Sequence, residues 1–308
     1  MTRTAPRSAG LAFLVAFAIG SDLGASAVEA ATTLRWKFRE GETLRYQTDQ
    51  KTSTKGKDPD GKEITQGLTL TIDLAWAVKA VEPSGAATIT QTVDRIRTTA
   101  TLPFGKVSFD SKESGDAAGP AGPIFKMMVG SEVTFRMTPR GEIVDVKLSD
   151  KLMAALKGDE VAGAQGQFSE VGLKNMVMQM GLILPEEGLD PGGTWNRKLA
   201  IPAGPSGQTR DVDQTFTYRG PDPASPSKAE GIDLSTGFEP IKPDPNVPIS
   251  VKSEQARGRY QFDNVAGRIE SSTLTQNVEV VGQIEGKDLA MTTETVTTMT
   301  LAKDRPTP

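Results

Sequence analysis

Residues 68–78 alternate without a break. Leu68, Leu70, Ile72, Leu74, Trp76 and Val78 fall in one phase, and Thr69, Thr71, Asp73, Ala75 and Ala77 in the other. A period of two sends successive side chains to opposite faces of a strand, so this stretch fits a sheet with one packed and one wet face. The turn Glu82-Pro-Ser-Gly85 leads into Ala87-Thr-Ile89-Thr-Gln-Thr-Val93 as its antiparallel partner, and residues 106–111 add another strand.

The same period governs most of the chain. Leu34, Trp36 and Phe38 alternate with Arg35, Lys37 and Arg39, and Leu44 and Tyr46 resume the pattern after Gly41, which predicts a half-buried hairpin. Val133, Phe135 and Met137 turn at Thr138-Pro-Arg-Gly141 into Ile143 and Val146. In the second half, Trp195–Leu199 and a segment with Val212, Phe216 and Tyr218 read as strands. Long strands at 259–263, 268–283 and 289–301 close the chain. Residues 239–249 hold four prolines and read as a stiff extended loop. The threonines of 292–298 suit strands.

Three segments break the pattern. Residues 124–129 form a short apolar run. Ser149 can cap a helix over 150–157 with Leu152, Met153 and Leu156 on one face. Leu173, Met176, Val177 and Met180 recur at three-and-four spacing and predict a helix over 169–180. The expected fold is mainly β, with long antiparallel strands in two sheets or a half-barrel. A few short helices, within about 121–184, pack between two β-rich halves. The organisation read from this is an N-terminal half at 32–148, a helical insert at 149–184 and a C-terminal half at 185–303, or one continuous domain.

The first 27 residues have the form of a signal peptide. Arg3 and Arg7 precede the apolar run 11–19, and Ala25-Ser-Ala27 offers a small-residue cleavage site, with Ala30 as an alternative. The run falls short of the about 20 residues of a membrane span, and the chain has no Cys for lipid attachment. An exported, soluble, non-lipoprotein chain is expected in the periplasm or outside the cell, with no transmembrane anchor after cleavage. The 308 residues carry a net charge of −4 and no run of Lys or Arg, which argues against nucleic acid as a partner.

Neither Cys nor His occurs. Thiolate nucleophiles, Ser-His-Asp triads and the usual zinc sites are therefore excluded, and neither a cofactor nor a metal is expected. Ser225-Pro-Ser-Lys228 matches Ser-x-x-Lys but lies in a Pro/Ser loop, without the helix that chemistry needs. Asp73, Asp145, Asp211, Asp213, Glu279 and Glu294 sit on predicted strands, where the wet face of a sheet accounts for them.

Several motifs resemble an uncharacterised family of secreted bacterial proteins. They are Leu34-Arg-Trp36-Lys-Phe38-x-x-Gly41-Glu-x-Leu44-x-Tyr46, Phe109-Asp-Ser111, and the hairpin from Val133 through Gly141-Glu-Ile143 to Val146. The junction Leu184-Pro185…Gly192-Gly-Thr-Trp195 and the closing Gly258-Arg-Tyr-x-Phe262-Asp…Gly267-Arg-Ile269 complete the set. The resemblance implies an exported β-rich fold and supplies no reaction or catalytic residues.

The methionines supply the candidate site. Met127, Met128, Met153, Met176 and Met180, with Val177, all fall in helix-like segments. Flexible, polarizable side chains of this kind line adaptable apolar surfaces, and they also fill irregular helix–sheet cores. The first functional reading is a non-catalytic exported protein binding a lipid or other apolar small molecule, or a partner, at this helix–sheet junction. The second is a structural or interaction module of the cell envelope that engages an envelope protein. A carboxylate-based hydrolase comes third.

Overall fold

The computed structural model describes residues 31–57, 61–102, 105–113, 122–156, 169–202, 209–225, 227–239, 249–284 and 287–302. The first half contains β1 (Thr43–Lys57), β2 (Glu63–Val81), β3 (Ala87–Leu102), β4 (Gly105–Asp110), α1 (Gly122–Met128), β5 (Glu132–Met137) and β6 (Ile143–Leu148). Two helices follow, α2 (Asp150–Leu156) and α3 (Glu170–Gln179). The second half is β7 (Thr194–Pro202), β8 (Thr209–Pro221), β9 (Glu230–Phe238), β10 (Ile249–Asp263), β11 (Arg268–Ile284) and β12 (Lys287–Leu301). The proposed signal peptide and the proline-rich stretch 240–248 lie outside the described residues.

The sequence left two sheets or a half-barrel open; the structure has one antiparallel sheet. Its order is β6-β5-β3-β2-β1-β12-β11-β10-β9-β8-β7, with β4 on β3. Each half is a meander, and the halves join where β1 pairs with β12, from Tyr46 opposite Leu301 to Lys57 opposite Ala290. The edges β6 and β7 do not pair, so the sheet is not a closed barrel.

One core cluster draws side chains from both wings: Trp76, Ile89 and Phe135 from β2, β3 and β5, and Phe216, Ile232 and Phe262 from β8, β9 and β10. Residues so far apart along a sheet meet only if it curls around them, which makes this inner face concave. A smaller cluster of Val93, Ile96 and Phe109 lies under α1, whose Phe125 stacks on Phe109 at 5.6 Å. The helices begin as their caps predict. The Ser149 hydroxyl accepts from the Leu152 amide, and the Ser169 hydroxyl from the Gly172 amide.

The core occupies one end of the strands, and that end is sealed by two segments outside the sheet. Residues 34–38 do not form the expected hairpin with 44–46. Their alternation survives, with Leu34 and Trp36 buried, but the segment bridges two turns instead of pairing with a strand. The Trp36 amide donates to the Pro139 carbonyl (2.8 Å) and the Lys37 amide to that of Gly267 (3.0 Å). β1 is left to pair with β2 and β12.

The second segment, residues 181–186, crosses the same end without a ladder of its own, and side chains take its carbonyls in succession. Arg197 donates to Gly181 (3.0 Å), the Trp36 indole to Leu182 (3.0 Å), the Trp195 indole to Ile183 (2.8 Å) and Arg140 to Leu184 (3.2 Å). Arg35 donates to both Pro185 and Glu186. Gly141 makes this crossing possible. Its φ is +90°, and a Cβ there would sit 2.0 Å from the Leu182 carbonyl oxygen and 2.7 Å from the Trp36 indole nitrogen.

Gly141→Ala should therefore destabilise the fold by on the order of 3 kcal/mol or more. Gly41→Ala, at φ +82° with open space around it, should cost about 1 kcal/mol. Urea unfolding of the two variants checks this, and equal losses would remove the crossing from the account of stability.

Candidate functional site

Cross-strand partners share a face, so the registers extend the inner face from the core to the far end of the sheet. On β1 it carries Thr48, Gln50, Thr52 and Thr54, opposite Ile72, Leu70, Leu68 and Gln66 of β2. On the other side these face Met299, Thr297, Thr295 and Thr293 of β12, then Leu274, Gln276 and Val278 of β11. Thr52 and Thr295 hydroxyls hydrogen-bond at 3.2 Å, and Thr54 and Thr293 at 3.0 Å. The result is a neutral polar stripe beside an apolar field.

On β1 and β2 burial stops partway, whereas Ile96 and Thr98 of β3 and Phe109 of β4 stay buried beside them. Tyr46 is the last buried residue of β1, and none of β2 before Ala75 is buried. Leu68 stands 36% exposed, and Leu70, Ile72, Leu274, Val278 and Val280 are half-buried. At the far end of these strands a cavity of about 370 Å³ is lined by Gly56, Ile64 and Met291 of the inner phase and, for the larger part, by outer-phase residues such as Lys55, Glu63 and Glu279.

Charge is nearly absent from this open part of the face. Over β1 to β4 and β7 to β12 beyond the core, the described side chains that bring charge to it are Arg197, Arg210 and Glu254. Arg197 is spent on the end of α3, donating to the Met178 and Gly181 carbonyls. Burial pulls its guanidinium below the ordinary arginine range, with Tyr260 and Glu142 opposing. Arg210 pairs with Glu254, with side chains only 11% and 7% exposed. The second Glu254 oxygen accepts from the Gln276 amide at 2.7 Å, and the Arg210 guanidinium lies 4.8 Å from the Phe238 ring centroid.

The methionines do not gather around one described cavity. Met127 and Val177 are buried in the main core, while Met128 packs against both clusters. Met153 is half-buried on α2, and Met176 and Met180 are 36% and 37% exposed on α3. Sequence reasoning missed Arg210, Glu254 and Gln276. The available signal was phase: Arg210 is in step with the buried Val212, Phe216 and Tyr218, and Glu254 with Ala256 and Phe262.

The outer face carries a lattice of ion pairs. Asp73 pairs with Arg97, Asp211 with Lys198, Glu279 with Lys252, and Asp233 with both Arg219 and Arg259. Glu294 is exposed, and Asp145 sits at a positive φ of 55° in β6. Lys228 also has a positive φ, and its amide donates to the Ser225 carbonyl, so Ser225-x-x-Lys228 is a turn and not a helix. Among the described residues no group of three or more acidic side chains could hold a metal ion, and no helix is long and apolar enough to cross a membrane.

The Arg136 hydrogen bonds hold the Glu82 carboxyl at about 2, and those of Arg95 hold Asp110 at about 2. Lys252 likewise lowers Glu279. Groups with depressed folded pKa values stabilise above their unfolded values, and that stability is lost as pH falls through the folded ones. With no histidine in the chain, denaturant midpoints should stay level from about pH 5 to pH 8 and fall from about pH 4 towards pH 2. A midpoint that drops between pH 7 and pH 5 would contradict this assignment.

The comparisons meet this geometry at the level of family. Residues 84–220 match the family of unknown function DUF6263. The expected likeness to an uncharacterised family is thus shown over the stretch that holds the Gly141 hairpin and the Trp195 junction. The opening and closing motifs lie outside it. No curated protein matches the chain. Among solved structures, a lipovitellin described for its lipid–protein interactions is 12% identical with a TM-score of 0.49; the match covers 88% of this chain and 26% of that one, so the chain spans about a quarter of its length. DynF, from the dynemicin biosynthesis pathway of Micromonospora chersina, is 8% identical with a TM-score of 0.24, covering 90% and 88%. An outer membrane channel of Pseudomonas putida F1 is 10% identical with a TM-score of 0.21, covering 87% and 97%.

Proposed function

We propose that the protein is a non-catalytic exported carrier that holds a long apolar molecule on the open part of its inner face, starting where α1 meets the sheet. The observation that carries this reading is the half-exposed apolar field of Leu68, Leu70, Ile72, Leu274 and Val278, continuous with the core. Exposed apolar surface of this kind signals a missing occupant. A second copy of the chain is a poor occupant, because a concave face is not complementary to itself across a two-fold axis. An extended apolar chain fits both the concavity and the mixed Leu/Thr lining.

The helical segment contributes unequally to this reading. Met128, shared by the two apolar clusters, is the residue we assign to the ligand, with Met153 behind it. Met127 and Val177 hold the helices to the core, and Met176 and Met180 form an adaptable rim on α3.

The purified protein should bind a long-chain apolar fluorophore such as N-phenyl-1-naphthylamine at one equivalent. Leu68→Glu or Val278→Glu should weaken binding about tenfold or more, because each puts a charge where an apolar chain would lie, with unfolding midpoints little changed. Val171→Glu, on the exposed side of α3, should bind as the parent does. An unchanged affinity in Leu68→Glu would rule out this face. A stable dimer broken by the same substitution would favour an interaction module of the envelope instead.

A further inference from the structure

We propose that Arg210, Glu254 and Gln276 form the seat for the uncharged, hydroxyl- or amide-bearing head of an amphiphile, such as an acylglycerol, whose chain lies across β1 and β2. This rests on the carrier reading and specifies its ligand. The seat is a polar island on a face whose other described charge, Arg197, is held by the Met178 and Gly181 carbonyls. Its parts come from β8, β10 and β11, and Arg210 reaches across Phe238 of β9 to Glu254. Both Glu254 oxygens are engaged, one by Arg210 and one by Gln276. Among the described residues the Arg210 Nε–H, by contrast, is buried without an acceptor, and on the same strand and face the Gln214 Oε1, opposite Arg197, is buried without a donor. A buried polar group left so is costly, and an acceptor on a ligand would satisfy the Arg210 Nε–H.

The charge balance selects the head. The Arg210 charge is already met by Glu254 at contact distance, so an anionic head at Arg210 Nε would lie within a few ångströms of a carboxylate in surroundings poor in water. Like charges so placed repel strongly. The rest of the stripe offers neutral Thr and Gln side chains, which suit hydroxyls and amides. Geometry also sets the length. From Glu254 on β10 to Leu68 on β2 is four strand steps, about 19 Å along the sheet at ~4.8 Å per step, the scale of a long acyl chain.

The test is displacement of N-phenyl-1-naphthylamine from the purified full chain by 1-monopalmitoylglycerol, palmitate and hexadecane at pH 7. The monoacylglycerol should compete at about tenfold lower concentration than palmitate or hexadecane, the scale of one satisfied buried hydrogen bond. Arg210→Lys keeps the charge beside Glu254 and removes the Nε–H, and should abolish that preference while still taking up the fluorophore. The Arg210→Met, Glu254→Met double variant should do the same without any buried charge. Palmitate competing as well as the monoacylglycerol, or a preference that survives in Arg210→Lys, would overturn the seat and leave the carrier reading standing. A parent chain that takes up none of the fluorophore would overturn both.

Discussion

The fold depends on satisfying six consecutive carbonyls where no strand is available to do it. Residues 181–186 cross the core end of the sheet, the first five of them buried, and a buried backbone acceptor without a partner is as costly as a lost hydrogen bond. Two indoles and three guanidinium groups supply the donors: Trp36, Trp195, Arg35, Arg140 and Arg197. Tryptophan suits the middle of this segment because it brings one N–H on a large apolar body. Trp36 lies edge-on to Phe262 and tilted against Trp76 while its N–H meets Leu182, so one side chain closes both the apolar and the polar accounts. The crossing also ties the wings together, since residues 36 and 37 bond the β5–β6 turn and the β10–β11 turn.

Sealing one end has a consequence for the other. Curvature is imposed where Trp36, Phe262 and Phe135 pack between the wings, and the long strands β1, β2, β11 and β12 carry it past the last core residue. Beyond that point the inner face is still concave and still in the apolar phase on β2; of the described elements α1 reaches Ile72 and Leu70 through the small cluster, while Leu68 stays exposed. Strands of 15 to 19 residues are longer than the core requires. In a protein stabilised by burial, such length calls for another reason.

Much of the sheet was legible because it rests on a short-range rule. The alternation of residues 68–78 fixed its own strand, and the turn residues at Gly85, Gly141 and Gly267 fixed three hairpins. Where the rule failed, at residues 34–38, the alternation itself was correct and only its partner was wrong. Period two reports that one side of a segment is buried, not whether a neighbouring strand or a pair of turns buries it. Both tryptophans fall in segments whose alternation reads as strand. That their indoles take adjacent carbonyls could not be read, because it depends on where the segment between Met180 and Leu189 crosses in space.

The site was less legible for a related reason. Methionine enrichment marks adaptable packing wherever it occurs, and it did not distinguish Met127 in the core from Met180 at the surface. The discriminating signal was a charge in the wrong phase. An ion pair drawn out of water loses much of its attraction to desolvation, and a hydrophobic replacement is often no less stable. Glu254 and Arg210 sit on the inner face of a sheet that places nearly all its other charge outside, and Gln276 completes the second oxygen of the carboxylate. Stability alone gives little reason for such a cluster, whereas recognition of a polar group on an apolar molecule does. On that argument the pair belongs with the open half of the sheet rather than with its sealed end.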